Sequence, residues 1–289
     1  MTTGKEQDVL GEIAAGLSEG TIIPYLGPGV FESGAGFPAN PKELVGWLCS
    51  KISVPGRMRN NLTAVAQYIE NFKHRKTLTR LAGEAFNPES SPTPVHRFLA
   101  ALPRLPLLVD TWYDGTMART FSDPAGRHIN LCQVSGVSRS EHPNEWFGYA
   151  GTSPEGADTV LYKPHGSVVP EPNFLISDAD YVEVLTEIDI QTPIPPVVQR
   201  LRTGRRFLFL GCRFNQQLDR IFARQIMKRS SDRHWVILDQ ETTPKEARFL
   251  VAQNIMPIRA GLREFIEKLA DTLAVVSKAT EETVPCKSV

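Results

Sequence analysis

Cysteine is scarce in this chain. Its four cysteines, Cys49, Cys132, Cys212 and Cys286, are far apart, and no two form a C-x-x-C pair. A structural zinc site with the usual ligand spacing is thereby excluded. Cys132 and Cys212 read as small buried residues in strands. Net charge is also missing: Lys+Arg and Asp+Glu both number 32. A balanced surface argues against bulk binding to nucleic acid or to an anionic membrane. No apolar run approaches the roughly 20 residues of a membrane span. The amino terminus, MTTGKEQDVL, has no apolar signal-peptide core, so a cytoplasmic protein is expected. There is no internal repeat and no low-complexity tract. What remains is an ordinary globular composition, 41% hydrophobic and 22% charged over 289 residues. That is enough for one large α/β domain or two small ones.

The chain is organised around residues 22–38, IIPYLGPGVFESGAGFP. A short apolar run, Ile22 to Leu26, predicts a buried strand. Pro24 confines that strand to an edge or places the proline near its start. Gly27-Pro28-Gly29 follows at once, with Gly34, Gly36 and Pro38 beyond. A strand entering a glycine-rich turn is how open α/β folds bring backbone N–H groups to a diphosphate. From these residues alone, a glycine-rich surface loop is an equal reading.

The remaining pattern alternates. Helical spacing is read over 5–18, from Pro41 to Leu48 with Asn40 as N-cap, over 62–86 as one or two helices, and over Val95–Leu99. Further helices are read over 178–185, 195–201, 215–229, 244–252 and 261–276. Buried strands are read at Leu105–Val109, Ile129–Val134, Asp158–Tyr162, Arg206–Gly211, His234–Leu238 and Ile255–Ile258. Residues 120–157, rich in Ser, Gly, Pro and His, hold one strand and then a long irregular excursion. Alternation of this kind predicts an α/β fold, a mostly parallel sheet with helices on both faces. Residues 1–278 are expected to form a single domain. Residues 279–289 are expected to be a disordered tail.

In a parallel sheet the carboxyl ends of the strands share one edge. Four strand ends carry unusual residues: the loop after Leu26, DTWYDG after Val109, KPHGS after Tyr162, and GCRFN after Leu210. These motifs, with AQYIE and the His96 helix, occur in an order that resembles the sirtuin-like (silent information regulator-like) NAD-hydrolase family. The resemblance covers about residues 8–270 and is to the zinc-free branch, since the zinc cysteines of the deacetylases are missing. Such domains are often found in bacterial anti-phage systems. The resemblance implies a Rossmann-like α/β fold, with a small helical module at about 40–103 inserted after the first strand, an NAD substrate or ligand, no zinc and a homo-oligomer. A regulatory protein partner belongs to the reading as a binding module, and neither a membrane nor nucleic acid is indicated by the charge and hydropathy.

By position, the resemblance implies that Gly27 and Gly29 approach the diphosphate and that Phe37 and Pro38 sit near the nicotinamide ribose. Asp114 would accept from the nicotinamide carboxamide. His165 would bond a ribose hydroxyl and act as general base. Gly211 and Cys212 would line the adenosine side. Three departures stand out. Trp112 occupies the asparagine position of the family's TTNYD or TQNxD motif. Phe31 replaces a small hydroxyl residue. Ala39-Asn40 follow Pro38 where an arginine is common. Trp112 is read either as a pocket residue or as a core aromatic. Asp114 is read also as a cap for a helix at Thr116, and His96 as a packing residue of its own helix. His165 by itself reads as a turn histidine. His128, His142 and His234 lack metal-ligand spacing. Three functions follow: an enzyme cleaving NAD to nicotinamide and ADP-ribose, a catalytically degenerate NAD or ADP-ribose sensor, and a scaffold that has lost its pocket.

Overall fold

A computed structural model describes residues 2–32, 36–87, 90–122, 129–137, 149–191 and 194–282. Helix α1 (Thr2–Ser18) leads into strand β1 (Ile22–Leu26). Helices α2 (Pro41–Lys51), α3 (Leu62–Lys73), α4 (Arg75–Phe86) and α5 (Pro94–Ala100) then intervene before β2 (Leu107–Asp110). Beyond β2 come α6 (Thr116–Phe121), β3 (Leu131–Ser135), β4 (Tyr149–Gly151), β5 (Thr159–Lys163), and the short strands β6 (Gly166–Ser167) and β7 (Asn173–Phe174). The last part is α7 (Asp178–Gln191), α8 (Pro196–Arg202), β8 (Arg206–Leu210), α9 (Gln217–Ile226), β9 (His234–Leu238), α10 (Pro244–Ala252), β10 (Ile255–Arg259) and α11 (Leu262–Glu282).

Eight strands form one sheet in the order β10-β9-β8-β1-β2-β5-β3-β4. Every pair in it is parallel except β3–β4. The mostly parallel α/β sheet expected from the alternation, and the Rossmann-like architecture that the resemblance implies, are therefore present. Side chains along the central strands split between two cores. Ile22 and Leu26 of β1 join Leu208 and Leu210 of β8 on one face. Ile23 and Tyr25 join Phe207 and Phe209 on the other. With period two and both faces covered, the strands must be apolar throughout, which is why IIPYL and RFLFL are continuous runs. Pro24 lies inside β1, and both neighbours of that strand are parallel.

Local chemistry accounts for the helix starts. Asn40 Oδ1 accepts from the Glu43 N–H (3.0 Å), with Pro41 in the first turn of α2. Thr243 does the same for α10, accepting from the Glu246 N–H (3.3 Å). The 62–86 segment is two helices, broken at His74 with φ 69°. Arg202, only 2% exposed, donates to the Gln225 and Ile226 carbonyls at the end of α9.

Several boundaries differ from those expected. The second strand starts at Leu107, because Pro106 has no N–H to add to a ladder. Cys212 lies just beyond β8, outside any strand, buried, with its thiol on the Tyr25 and Leu210 carbonyls. The 120–157 excursion also contains β4, an exposed three-residue antiparallel edge. Helix α11 extends to Glu282, so residues 279–282 of the expected tail are helical, while 283–289 lie outside the described residues. His128, His142 and Cys286 also lie outside them.

Candidate functional site

The strand register aligns the ends of β1, β2, β5 and β8. Leu26 pairs with Asp110 and Leu210, and Val109 pairs with Tyr162. The strand order reverses at β1, with β2 on one side and β8, much later in sequence, on the other. Ligands of open α/β sheets bind at such a switch point.

The glycines of that point interlock. The Gly27 N–H donates to the Leu210 carbonyl (2.9 Å), and the Gly29 N–H donates to the Gly211 carbonyl (2.9 Å). A Cβ on Gly27 or Gly29 would lie 2.4 or 2.7 Å from the Gly211 oxygen. Gly211 has φ 65°, and its own Cβ would meet the Val30 nitrogen at 2.4 Å. These three residues are glycine because two loops press together, and the N–H groups of Gly27 and Gly29 are already engaged.

Between the β1 and β2 loops stands a run of aromatic rings. Phe31 packs on His96 (5.0 Å between centroids) and edge-on to Phe37 (4.9 Å). Phe37 meets Phe86 at 5.8 Å, Phe86 meets Trp112 at 5.8 Å, and Trp112 meets Tyr113 at 5.1 Å. Trp112 is 4% exposed, and its indole N–H donates to the Pro38 carbonyl (3.0 Å). Its donor is therefore spent inside the protein, holding the end of the glycine-rich stretch onto the second strand's loop. Phe31, standing where a small hydroxyl residue was expected, is part of the same packing.

Asp114 is 5% exposed and its two oxygens differ. Oδ1 accepts from the Thr116 N–H (2.7 Å) and so serves the start of α6. Oδ2 is buried with no hydrogen-bond partner among the described residues. Leaving a buried acceptor unmet costs about 1–3 kcal/mol, so an orphan of this kind calls for a partner that the described residues do not supply.

The electrostatic neighbour of Asp114 is His96. Burial lowers the His96 pKa to about 4; Asp114 pulls it back up, and Lys163 pushes it further down. Nδ1 of His96 accepts from the Thr93 N–H (3.3 Å) and lies 2.7 Å from the Thr93 hydroxyl. The neutral ring therefore carries its proton on Nε2.

His165 occupies a separate niche. It packs on Phe222 (4.4 Å between ring centroids) and edge-on to Tyr181 (5.7 Å), with Nδ1 3.4 Å from the Tyr181 hydroxyl. Burial first, and the charge of Lys163 second, lower its pKa to about 3. It is neutral at physiological pH and a weak base. The turn around it leans on the second strand's loop: the Ser167 hydroxyl and the Val168 N–H both donate to the Tyr113 carbonyl (3.0 Å each).

Reading the sequence missed the group that joins these loops. Lys163, at the end of β5, is 1% exposed. Its ammonium donates to Asp110 Oδ2 (2.7 Å), to the Trp112 carbonyl and to the Asp114 carbonyl (3.0 Å). Burial pushes the Asp110 carboxyl up, against the pull of that lysine. A signal was available: LLVD and VLYK are buried strands ending on opposite charges. Arg213, by contrast, is turned away from the loops, paired with the buried Glu246 (2.9 Å). Among the described residues there is no group of three potential metal ligands, and no helix is long and apolar enough to cross a membrane. A cleft of about 450 Å³ opens beside the end of α9 and holds none of the candidate residues. Its cations Arg224 and Lys228 lie where they complement the carboxyl end of that helix.

Comparison with known proteins defines the class. Residues 106–258, more than half of the chain, match the profile of the SIR2-like domain. The chain belongs to the SIR2-like domain family. A solved structure described as "Structural Basis for the Mechanism and Regulation of Sir2 Enzymes" superposes over 93% of this chain and 98% of its own, with 11% sequence identity and a TM-score of 0.47. No curated protein sequence matches. Trp112, Asp114, Lys163, His165, Gly211 and Cys212 fall inside the matched range, and Gly27, Gly29, Phe37 and Pro38 precede it. Membership implies binding of an NAD-type nucleotide.

Proposed function

We propose that this chain takes NAD at the carboxyl ends of β1, β2, β5 and β8 and cleaves it to nicotinamide and ADP-ribose. The observation that carries the reading is Asp114 Oδ2, a buried acceptor without a partner among the described residues, on the loop that follows the second strand. A nicotinamide carboxamide supplies N–H donors of the kind that such an oxygen lacks. A buried carboxylate also favours the positive charge of the pyridinium, and the charge that shifts to the ribose as the bond breaks. In this reading water adds to the ribose carbon as its bond to nicotinamide breaks, and His165, hydrogen-bonded to a ribose hydroxyl, acts as the general base that takes the proton the water gives up. Gly211 and Cys212 border the adenosine, and Phe37 and Pro38 border the ribose. Gly27 and Gly29 bring the first loop close to the diphosphate. Residues 1–278 act as one NAD-binding domain, with a homo-oligomer and a regulatory protein partner belonging to the same picture.

A second reading is a sensor that binds NAD or ADP-ribose without turnover. It is favoured by Trp112, whose only polar atom is occupied by Pro38, and by the low basicity of His165. Nicotinamide release and calorimetric NAD binding, measured on wild type and Asp114→Asn, test both. Asparagine keeps the Oδ1 acceptor for the Thr116 N–H but turns the orphan acceptor into a donor. NAD affinity is expected to fall at least about tenfold, with ADP-ribose affinity unchanged, since one buried hydrogen bond to a charged group is worth about 1.5–3 kcal/mol. Release of nicotinamide by wild type selects the enzyme, and binding with intact NAD recovered selects the sensor. Unaltered NAD affinity in Asp114→Asn would sink the assignment of Asp114.

A further inference from the structure

Lys163 makes three hydrogen bonds, and all three end on residues 110–114 of the neighbouring strand and its loop. An ammonium has three donors and no acceptor, so its capacity is filled. Its partners are unusual together: one carboxylate and two backbone carbonyls, those of Trp112 and Asp114. Carbonyls two residues apart in a chain converge here on a single buried point. The backbone between them must curl around the ammonium, and the curl determines where the side chain of Asp114 stands.

The alternative is that Lys163 and Asp110 are only a packed ion pair. Ion pairs this deeply buried seldom add net stability over an apolar pair of the same volume. Two apolar residues at these positions would hold β2 against β5 equally well. They would leave the Trp112 and Asp114 carbonyls with no donor, and buried carbonyls without donors move until they find one. What the ammonium does beyond packing is therefore to shape the loop. Lys163 also stands two residues before His165, so the same side chain ties the turn carrying that imidazole to the loop carrying Asp114.

We infer that Lys163 is the positioning residue of the candidate site: by gathering Asp110 and the Trp112 and Asp114 carbonyls, it places the Asp114 carboxylate and registers the β2 loop against the β5 turn. Its effect on a ligand, although not its effect on the loop, rests on the NAD reading above. Nothing in this role requires Lys163 to touch the ligand.

The test uses the full chain with Lys163→Met combined with Asp110→Asn. The pair removes both buried charges together and keeps an acceptor for the Trp112 N–H, which now bonds Asp110 Oδ1 (3.1 Å). Lys163→Arg is the second variant. Its planar fork keeps the charge but does not reproduce three convergent bonds from one atom. Amide hydrogen exchange is followed at residues 111–116 and, as a reference, in β1 and β8. NAD and ADP-ribose binding are measured in parallel. In both variants exchange at 111–116 is expected to rise at least about tenfold with β1 and β8 unchanged, one lost buried hydrogen bond being of that scale. NAD affinity is expected to fall by a similar factor while ADP-ribose, which lacks the carboxamide, binds as before. Unchanged exchange at 111–116 overturns the inference. An equal rise throughout the sheet, or equal loss of both ligands, also overturns it, because it marks a general packing role. If wild type binds no NAD, the proposed function fails, and the exchange measurement still decides whether Lys163 shapes the loop.

Discussion

Replacing Trp112 by asparagine restores the residue type common at this position in the sirtuin-like family, and the structure argues that it will damage the protein. The indole is 4% exposed, lies between Phe86 and Tyr113, and donates to the Pro38 carbonyl. Truncating a large buried aromatic costs about 3–5 kcal/mol, and a buried carbonyl stripped of its donor adds about 1 kcal/mol or more. Asparagine is too short to rebuild the bond at the distance the indole spans. With an unfolding entropy of about 2.1 cal/mol/K per residue, 289 residues give about 0.6 kcal/mol/K. A loss of about 4 kcal/mol then lowers the melting temperature by about 7 °C. The assay is thermal melting of Trp112→Asn beside wild type, with nicotinamide release measured on both. The expected result is a clear drop in melting temperature and no gain in release. A variant melting within about 1 °C of wild type would refute the core placement. A tenfold rise in nicotinamide release would refute the claim that the indole leaves the reacting region alone.

Glycine replacement at two positive-φ sites separates close approach from backbone strain. Gly211→Ala places a Cβ 2.4 Å from the Val30 nitrogen, whereas Gly204→Ala, at φ 70°, meets nothing within 4 Å. The first is expected to cost more than about 3 kcal/mol and the second about 1 kcal/mol, measured by urea unfolding, since only strain acts at Gly204. Equal costs would show that the two loops yield. Stability should also fall with acid. Burial holds His96, His165 and His234 at pKa values of about 4, 3 and 4. The unfolded chain therefore binds these protons first. Their contribution is full above about pH 6.5 and is lost as pH falls towards the folded values, at about 1.4 kcal/mol each by pH 5.5. Asp219, raised by burial to about 7, and Asp110, also raised by burial, act in the opposite sense and offset part of this. A net loss of about 1–2 kcal/mol between pH 7.5 and 5.5 is expected from urea midpoints. A gain over that interval would contradict neutral burial of the imidazoles.

How much of this protein could be read without coordinates depended on the range of the interaction. Strands such as IIPYL and HWVIL, and helices opened by Asn40-Pro41 and Thr243-Pro244, were legible to the residue or nearly so. Their causes are local: apolar runs that bury both faces of a parallel strand, and side-chain oxygens that cap an N–H two or three residues on. The alternation of these elements also fixed the fold class. The strand β4 was not legible, because three partly exposed residues carry no periodicity and exist only by pairing with β3. The site divided in the same way. KPHGS and DTWYDG stood out as polar motifs after buried strands, and the bond of Asp114 to the start of α6 was readable because its partner, Thr116, is two residues away, although Gly115 and not Asp114 is the N-cap. Where Trp112 turns, which histidine lies near Asp114, and what Lys163 holds were settled only by the tertiary structure. Each depends on a partner across the molecule: Pro38 is 74 positions from Trp112, and Asp110 is 53 from Lys163. A side chain's destination over such a span follows from strand order and register, which the residues around it do not encode.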